Sequence, residues 1–568
     1  MKKKSIISTK SALFLLGCIV ILGVLIASNA MKPIFAGASS GSASSGSAST
    51  STKLTPTDPS KWLTYSNNKL TMVSDSNKNM IPDFSYVGYE NGNALLPTLS
   101  SATTSVNFTA SSSITAIQAA LKTGGSRKKP KIVMLAGGTY TLSAPLTLQA
   151  SNLILEGSTS ASNPTILKGA GTTHNLVNVA GKGTLVQKDK KGLYAITDSY
   201  VPVGARQFTI NVAAGTSPFA VGQSIVVNIP VTSAWTKKIG MTWVKSLPLA
   251  FDRTIQAVSA ISPSKTQTIT IDAPITTAID SAYTTGYISR YTYAGRITQV
   301  GVANLTLDGT AFNAAAGTYS SPGCATINAA DNSWMENVTC KNFLNGINVG
   351  SSAKRVTLYK LDMQMATLNT HAHPAAFTVE GQQILCDQCN VEGNSVFAWL
   401  TQSWVMGPNV FVNSIATGTT KLYAGAHQRW ANGTLFDNVK MVDSKGKATG
   451  IFRLENEGVG NGGGRGWSGA NEVVWNSTAH SYYLQDAPTA YIWVFGSKGK
   501  LLAPSYMPKL PIGNVVYALA TSSTATSSTT SQALPASLYF EQLYERQSSL
   551  DKTTLCTMSS NLLAACKG

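Results

Sequence analysis

The sequence predicts an all-β fold: a right-handed parallel β-helix with a β-rich insertion near the N-terminal coils and short terminal helices. Three observations lead there. Brief apolar strands alternate with Gly- and Asn-bearing turns along most of the chain. The glycines Gly381, Gly407 and Gly433 stand at equal steps of 26 residues, each ahead of an apolar strand, as coils stacked on one another require. Charged residues make up only 12% of the 568 residues, about half the usual share.

In chain order, residues 1–30 read as a signal peptide or signal anchor. Four lysines lie within Met1 to Lys10, and the run Ala12 to Ala27 is almost wholly apolar. Ser28-Asn29-Ala30 offers a small-residue cleavage site, and the run 11–27 would otherwise serve as a membrane tether. Residues 31–60 form a Ser/Gly-rich linker, which leaves the apolar run no core to join. Residues 61–172 hold an N-terminal segment and the first coils: a short helix from Ile114 to Leu121, then strands at Lys131 to Leu135, Leu142 to Leu148 and Leu153 to Leu155. Longer, interrupted strands such as Phe219 to Asn228 and Gln267 to Asp272 mark 173–294 as the insertion. The short rhythm returns over 295–520, the main helix, with rungs at Val302 to Asp308, Met335 to Cys340, Val356 to Lys360, Ile384 to Asp387, Val410 to Asn413, Leu435 to Asn438 and Val473 to Asn476. Residues 521–536 are a Ser/Thr-rich linker, and 537–568 a helix (Leu538 to Arg546) with a Cys-containing tail, the helix expected to cover the last coil.

Ala116-Ile-Gln-Ala-Ala120, Val133-Met-Leu-Ala-Gly-Gly-Thr-Tyr140, Leu146-Thr-Leu148 and Leu153-Ile-Leu-Glu-Gly157 resemble the opening coils of the pectate-lyase-like superfamily. Asp83 to Gly88, Ala375 to Gly381, His427-Gln-Arg-Trp430 and Gly466-Trp-Ser-Gly469 resemble a secreted microbial branch of it, over most of residues 70 to 546. The resemblance implies the β-helix and a polysaccharide substrate. Activity follows less directly, because one fold hosts many functions. The clustered aspartates that pectate lyases use for calcium and the Gly-His-Gly signature of polygalacturonase-type hydrolases are not in the sequence.

A strict 26-residue coil would stack Ala375, Thr401, His427 and Arg453 in one column, and Phe377, Ser403, Arg429 and Glu455 in the next. His427, Arg429, Arg453 and Glu455 are therefore the candidate catalytic residues, with Gln402, Gln428, Arg465 and Trp467 as candidate substrate contacts. Arg465 and Trp467 come from the Gly-rich stretch after Glu457, His371 and His373 from a neighbouring loop, and Trp399 and Trp404 from the coil before. An aromatic beside cations suits a sugar ring bearing a carboxylate. β-Elimination on a uronate needs its carboxylate neutralised, a base for the C5 proton and an acid for the leaving oxygen. Arg429 or His427 would take the proton, Arg453 would hold the carboxylate, and Glu455 would orient one of them or bind Ca²⁺, the only cofactor expected. The leading expectation is thus a lyase for an acidic polysaccharide. The alternatives are a glycoside hydrolase using two of Glu380, Asp387, Glu392, Glu455 and Glu457, and a non-catalytic glycan-binding or structural surface protein. No GxSxG, Walker, HExxH or dinucleotide motif is present.

Lys plus Arg number 44 against 26 Asp plus Glu, a balance of +18 that attracts polyanions. Export argues against a nucleic-acid partner and places the chain outside the cell or on its surface. Beyond Cys18, six cysteines are disulfide candidates: Cys324, Cys340, Cys386, Cys389, Cys556 and Cys566. The isolated Cys386-x-x-Cys389 is weak as a metal motif. Glycosylation sequons begin at Asn107, Asn304, Asn337, Asn432 and Asn476.

Overall fold

The structure, a computed structural model, describes residues 59–547 except 68, 98–103, 214–215, 246–248, 313–320, 367–373, 394–395, 419–421, 459–463, 486, 503–514 and 519–534. The apolar run 11–27, the Ser-rich stretches Ala36 to Thr52 and Thr521 to Gln532, His371, His373, Cys556 and Cys566 lie outside the described residues. No helix among the described residues is long and apolar enough to cross a membrane.

Strands pair in parallel with those one coil above and below, building three rows along a solenoid. Its hand is the one parallel crossovers take. The first row runs through Lys131–Leu135, Leu153–Glu156, Val300–Asp308, Ala330–Phe343, Lys354–Met365, Leu385–Glu392, Met406–Val412, Ala431–Asp437, Glu472–Trp475 and Ile492–Phe495. Its register stacks Val133, Leu155, Val302, Met335, Leu358, Cys386, Phe411, Phe436, Val474 and Val494 into one interior column. All ten are buried, and each large apolar side chain taken from water contributes about 1.5–3 kcal/mol. The helix Ile114–Ala120 closes the first coil, with Ile117 in the same core.

Corners between strands are set by left-handed residues, above all Asn304, Asn337, Asn413, Asn438 and Asn476, since Asn tolerates this conformation better than most side chains. The Asn337 amide donates to Asn304 Oδ1 at 2.6 Å, and the Asn304 amide to Glu156 at 2.9 Å. Three of the five sequons are thus corner residues. Asn432 is completely buried and Asn476 nearly so, with amides donating to the carbonyls of Val405 and Ala536. Neither can carry a glycan in the folded chain, a correction to the sequence reading; Asn107 and Asn337 are exposed. Cys324 is bonded to Cys340 and Cys386 to Cys389, all four buried, so the CxxC pair is not a metal site.

Residues 186–292 leave the solenoid and form an antiparallel sheet around Gln207–Asn211, Ser224–Ile229, Leu249–Val258, Thr266–Ile271 and Tyr287–Thr292. Its core continues into Met406, Trp430, Trp467 and Ala470 of the solenoid. A buried ionic cluster fixes the junction. Asp252 accepts from Lys354 Nζ at 2.8 Å, Arg296 at 2.7 Å and the Tyr291 hydroxyl at 2.8 Å, and these cations hold its carboxyl far below the usual range against the opposing effect of burial.

The C-terminal helix Leu538–Arg546 does not cap the last coil. It lies along the outside of the first row with the segment around Trp62 to Val87, covering Leu385, Val410, Leu435, Val473 and Trp493. A strand row apolar on both faces needs such a cover. Arg546 ties this belt together, donating to Ser85 Oγ at 2.7 Å and to the Asn91 carbonyl at 2.8 Å.

Candidate functional site

The third row, Leu146–Leu148, Val177–Ala180, Gly323–Asn328, Asn345–Val349, Ala375–Val379, Phe397–Gln402, Tyr423–His427, Ile451–Leu454 and Thr478–Leu484, has its outer face uncovered by the belt. Coil lengths along it are unequal. The register steps 22 residues from Ala375 to Phe397, 25 from Gln402 to His427, 28 from Gly425 to Arg453 and 30 from Ile451 to Ser481. The columns expected from a constant 26 therefore do not form: Thr401 pairs with Ala426, His427 with Gln402, and Arg453 with Gly425. A fixed period holds locally, as between Met406 and Asn432, and slips wherever a corner loop changes length.

The real register nevertheless gathers the titratable residues where this row turns toward the inserted sheet. His427 Nδ1 lies 2.9 Å from Glu457 Oε1, and its Nε2 lies 2.7 Å from the Gln428 amide nitrogen. An amide nitrogen donates, so this geometry assigns the proton to Nδ1 and leaves Nε2 the basic nitrogen. Burial pushes the Glu457 carboxyl up, but His427, with Arg453 and Arg465, outweighs it and holds the group at about 2. Arg465 reaches the other Glu457 oxygen at 3.3 Å. Arg453 donates through Nε to Glu455 Oε1 at 2.7 Å, and Glu455 is completely buried. The carboxylates are thus sunk, with side-chain exposures of 0% for Glu455 and 3% for Glu457, while His427, Arg453 and Arg465 keep 15%, 15% and 22%. Arg453 and Arg465 thus balance the two carboxylates, and the imidazole of His427 stands beside them.

Gly425 makes room for this arrangement. It sits at φ +134°, and a Cβ there would run into the Arg453 carbonyl oxygen. Gln428, Arg429 and Trp430 are three successive left-handed residues, a sharp corner whose Arg429 N–H donates to the Arg465 carbonyl at 2.8 Å and Trp430 N–H to that of Trp467 at 2.7 Å. Burial lowers the Arg429 guanidinium. Gln402 pairs in register with His427 from the preceding coil.

Trp467 is a packing residue instead. It is 3% exposed, its indole N–H donates to the Ile239 carbonyl at 2.8 Å, and it belongs to the inserted sheet's core. Trp399 is likewise interior, donating to the Cys389 carbonyl. Reasoning from sequence singled out Glu455 and passed over Glu457 as the partner of His427. The Glu455-x-Glu457 alternation at a strand end was the available signal. Calcium does not fit these donors: Glu455 and Glu457 are engaged by cations, and among the described residues no three His, Cys, Asp or Glu side chains converge.

No protein-family model matches the chain, and none of the curated proteins compared with it matches. Among solved structures it is similar to the tailspike protein of Pseudomonas phage LKA1, at 15% identity over 69% of this chain and 64% of that one, TM-score 0.31. It is also similar to a tailspike of Acinetobacter baumannii bacteriophage AP22 in complex with a capsular saccharide (9% identity, 66% and 67% covered, TM-score 0.27) and to PfbA, a surface adhesin of Streptococcus pneumoniae (10%, 68% and 82%, TM-score 0.27). Values this low assign neither a family nor an activity. The class defined by the strand pairing itself is the parallel β-helix.

Proposed function

We propose that this is an extracellular or surface-held polysaccharide lyase, cleaving an acidic polysaccharide by β-elimination at the His427–Glu457 corner. The observation that carries the reading is an imidazole held at 2.9 Å by a sunken carboxylate that Arg453 and Arg465 also face. The uronate carboxylate lies against the arginines, which stabilise the charge that grows on it as the C5 proton leaves. His427 Nε2 takes that proton after the Gln428 amide gives way, and Glu457 supports the imidazolium. The C5–H electrons form the C4–C5 double bond, the C4–O bond breaks, and the departing oxygen takes a proton for which the imidazolium is the near source. Atoms balance without a metal.

The test is incubation of the chain lacking residues 1–52 with pectate, alginate, glucuronan and glycosaminoglycans, following the ultraviolet absorbance of the unsaturated product. A rise that vanishes in His427→Ala supports the lyase. Binding with neither unsaturation nor new reducing ends makes this a glycan-binding surface protein.

A hydrolase is the second reading, favoured by one contrast. Burial raises the Glu380 carboxyl, bonded to the Asn348 amide at 3.1 Å, while Glu457 is held low, and carboxylates pushed apart in this way divide acid and base roles. New reducing ends without unsaturation would select it.

A further inference from the structure

The third row carries a second pattern that elimination at one sugar does not use. Register places Thr147, Asn178, Thr326, Asn348 and Thr378 in a single column on successive coils. Each is half-buried between fully buried neighbours, so each faces outward. Five coils span roughly 19 Å at about 4.8 Å per step. The column then continues through Leu400 and Gly425 to Arg453 and Tyr483. Every side chain from Thr147 to Thr378 is a neutral hydroxyl or amide. Several are already oriented: Thr326 Oγ1 donates to Asn178 Oδ1 at 2.8 Å, Asn175 donates to the same oxygen at 3.0 Å, and Asn348 donates to Glu380. The arginines all stand beyond Gly425. The outer face is therefore divided into a long neutral stretch and a short cationic end.

A polymer with a carboxylate on every sugar would lay unmatched anions along the neutral stretch. Hydroxyl and amide rows are matched to sugar hydroxyls. Resting on the lyase or hydrolase reading of the His427 corner, we infer that the ligand is a heteropolysaccharide in which neutral hexoses lie over Thr147 to Thr378 and an isolated acidic sugar lies at Arg453, and that homopolymeric uronates are poor ligands.

The experiment measures binding and turnover by the chain lacking residues 1–52 on two probes: a glucuronate-bearing heteropolysaccharide whose other sugars are neutral hexoses, and an oligogalacturonate of similar length. Thr147→Ala/Thr378→Ala should weaken heteropolysaccharide binding about 30-fold, from two lost hydrogen bonds, with an unchanged melting temperature. Thr378→Lys should weaken it too while improving oligogalacturonate binding. Equal or tighter binding of oligogalacturonate by the unaltered chain, insensitive to the double substitution, overturns the inference and leaves the proposed function standing. Failure of both probes to bind, with Arg453→Gln changing nothing, overturns both.

Discussion

Carboxylates are buried in two regions with opposite results. At the His427 corner Glu457 is held at about 2, while beneath the C-terminal helix Asp387 and Asp437 are pushed up to about 7. Burial acts in the same direction in all three. Partners decide the outcome: Glu457 faces His427, Arg453 and Arg465, whereas Asp387 accepts from the Asn413 amide at 3.3 Å and Asp437 from Ser537 Oγ at 2.6 Å and the Tyr539 N–H at 2.9 Å. Cations compensate an ionised carboxylate fully; neutral donors do so in part, and Asp437 also adds to the cost of charge at Asp387. A buried acid on this solenoid is thus read by what faces it.

The largest test of that rule lies at the junction with the inserted sheet, where Asp252 resembles Glu457 in being surrounded by cations. Asp252→Ala strands Lys354, whose side chain is 1% exposed, beside Arg296. Loss of about 3–5 kcal/mol is expected by denaturant unfolding, or failure to fold. A near-neutral result would mean that the cluster is solvated in solution. Next, Glu457→Gln removes the anion that supports an imidazolium, and activity should fall roughly 10²–10⁴-fold with the fold retained. Rescue by Glu457→Asp would separate a role in catalysis from one in packing. A smaller effect is expected from Gly425→Ala. The added methyl pushes Arg453 away at a cost on the order of 1–3 kcal/mol, read as a raised KM for the acidic polymer, and an unaltered KM would remove Arg453 from substrate binding.

The difference between the two regions was only half visible in the sequence. Strand rows were legible because interior columns such as Val133, Leu155 and Val302 follow period-two alternation whatever the loops do. Residue types alone point to His427, Arg453 and Glu455, of which Arg453 and Glu455 pair with each other while His427 pairs with Glu457. Which carboxylate meets the histidine was not legible, because it depends on register across corners of unequal length, 25 residues at one coil and 28 at the next. Trp467 misled for a related reason. An aromatic beside arginines reads as a sugar platform until the inserted sheet, far away in sequence, is seen to take its indole N–H. The belt was hidden likewise, since helix 538–546 meets strands a hundred residues earlier.

The smallest expected effect is the sharpest on sign. Glu457, with its pKa depressed from 4.5, contributes stability that is present above the unfolded value and lost as pH falls through about 2. Asp387 and Asp437, raised from 3.8, contribute stability that is fully present below 3.8 and lost as pH rises through about 7. A rise from about pH 4 to pH 7 should therefore loosen the belt and leave the His427 corner intact, while acid below about 4.5 should do the reverse. The groups around Asp387 set the size of the effect: Lys360 favours its ionised form, Asp437 opposes it, and the buried Tyr539 supplies no charge of its own. A change on the order of 1–3 kcal/mol across the transition follows from about 1.4 kcal/mol per pK unit, reduced for relaxation and for the coupling of the pair. Amide hydrogen exchange in Leu538–Arg546 measures it directly. Protection should fall between about pH 4 and pH 7 in the native chain and lose much of that dependence in Asp387→Asn, which keeps the shape and removes the charge. Protection that stays constant in the native chain would mean that the neutral donors at Ser537, Tyr539 and Asn413 compensate these carboxylates as completely as the arginines compensate Glu457, and the distinction between the two regions would collapse into one of geometry alone.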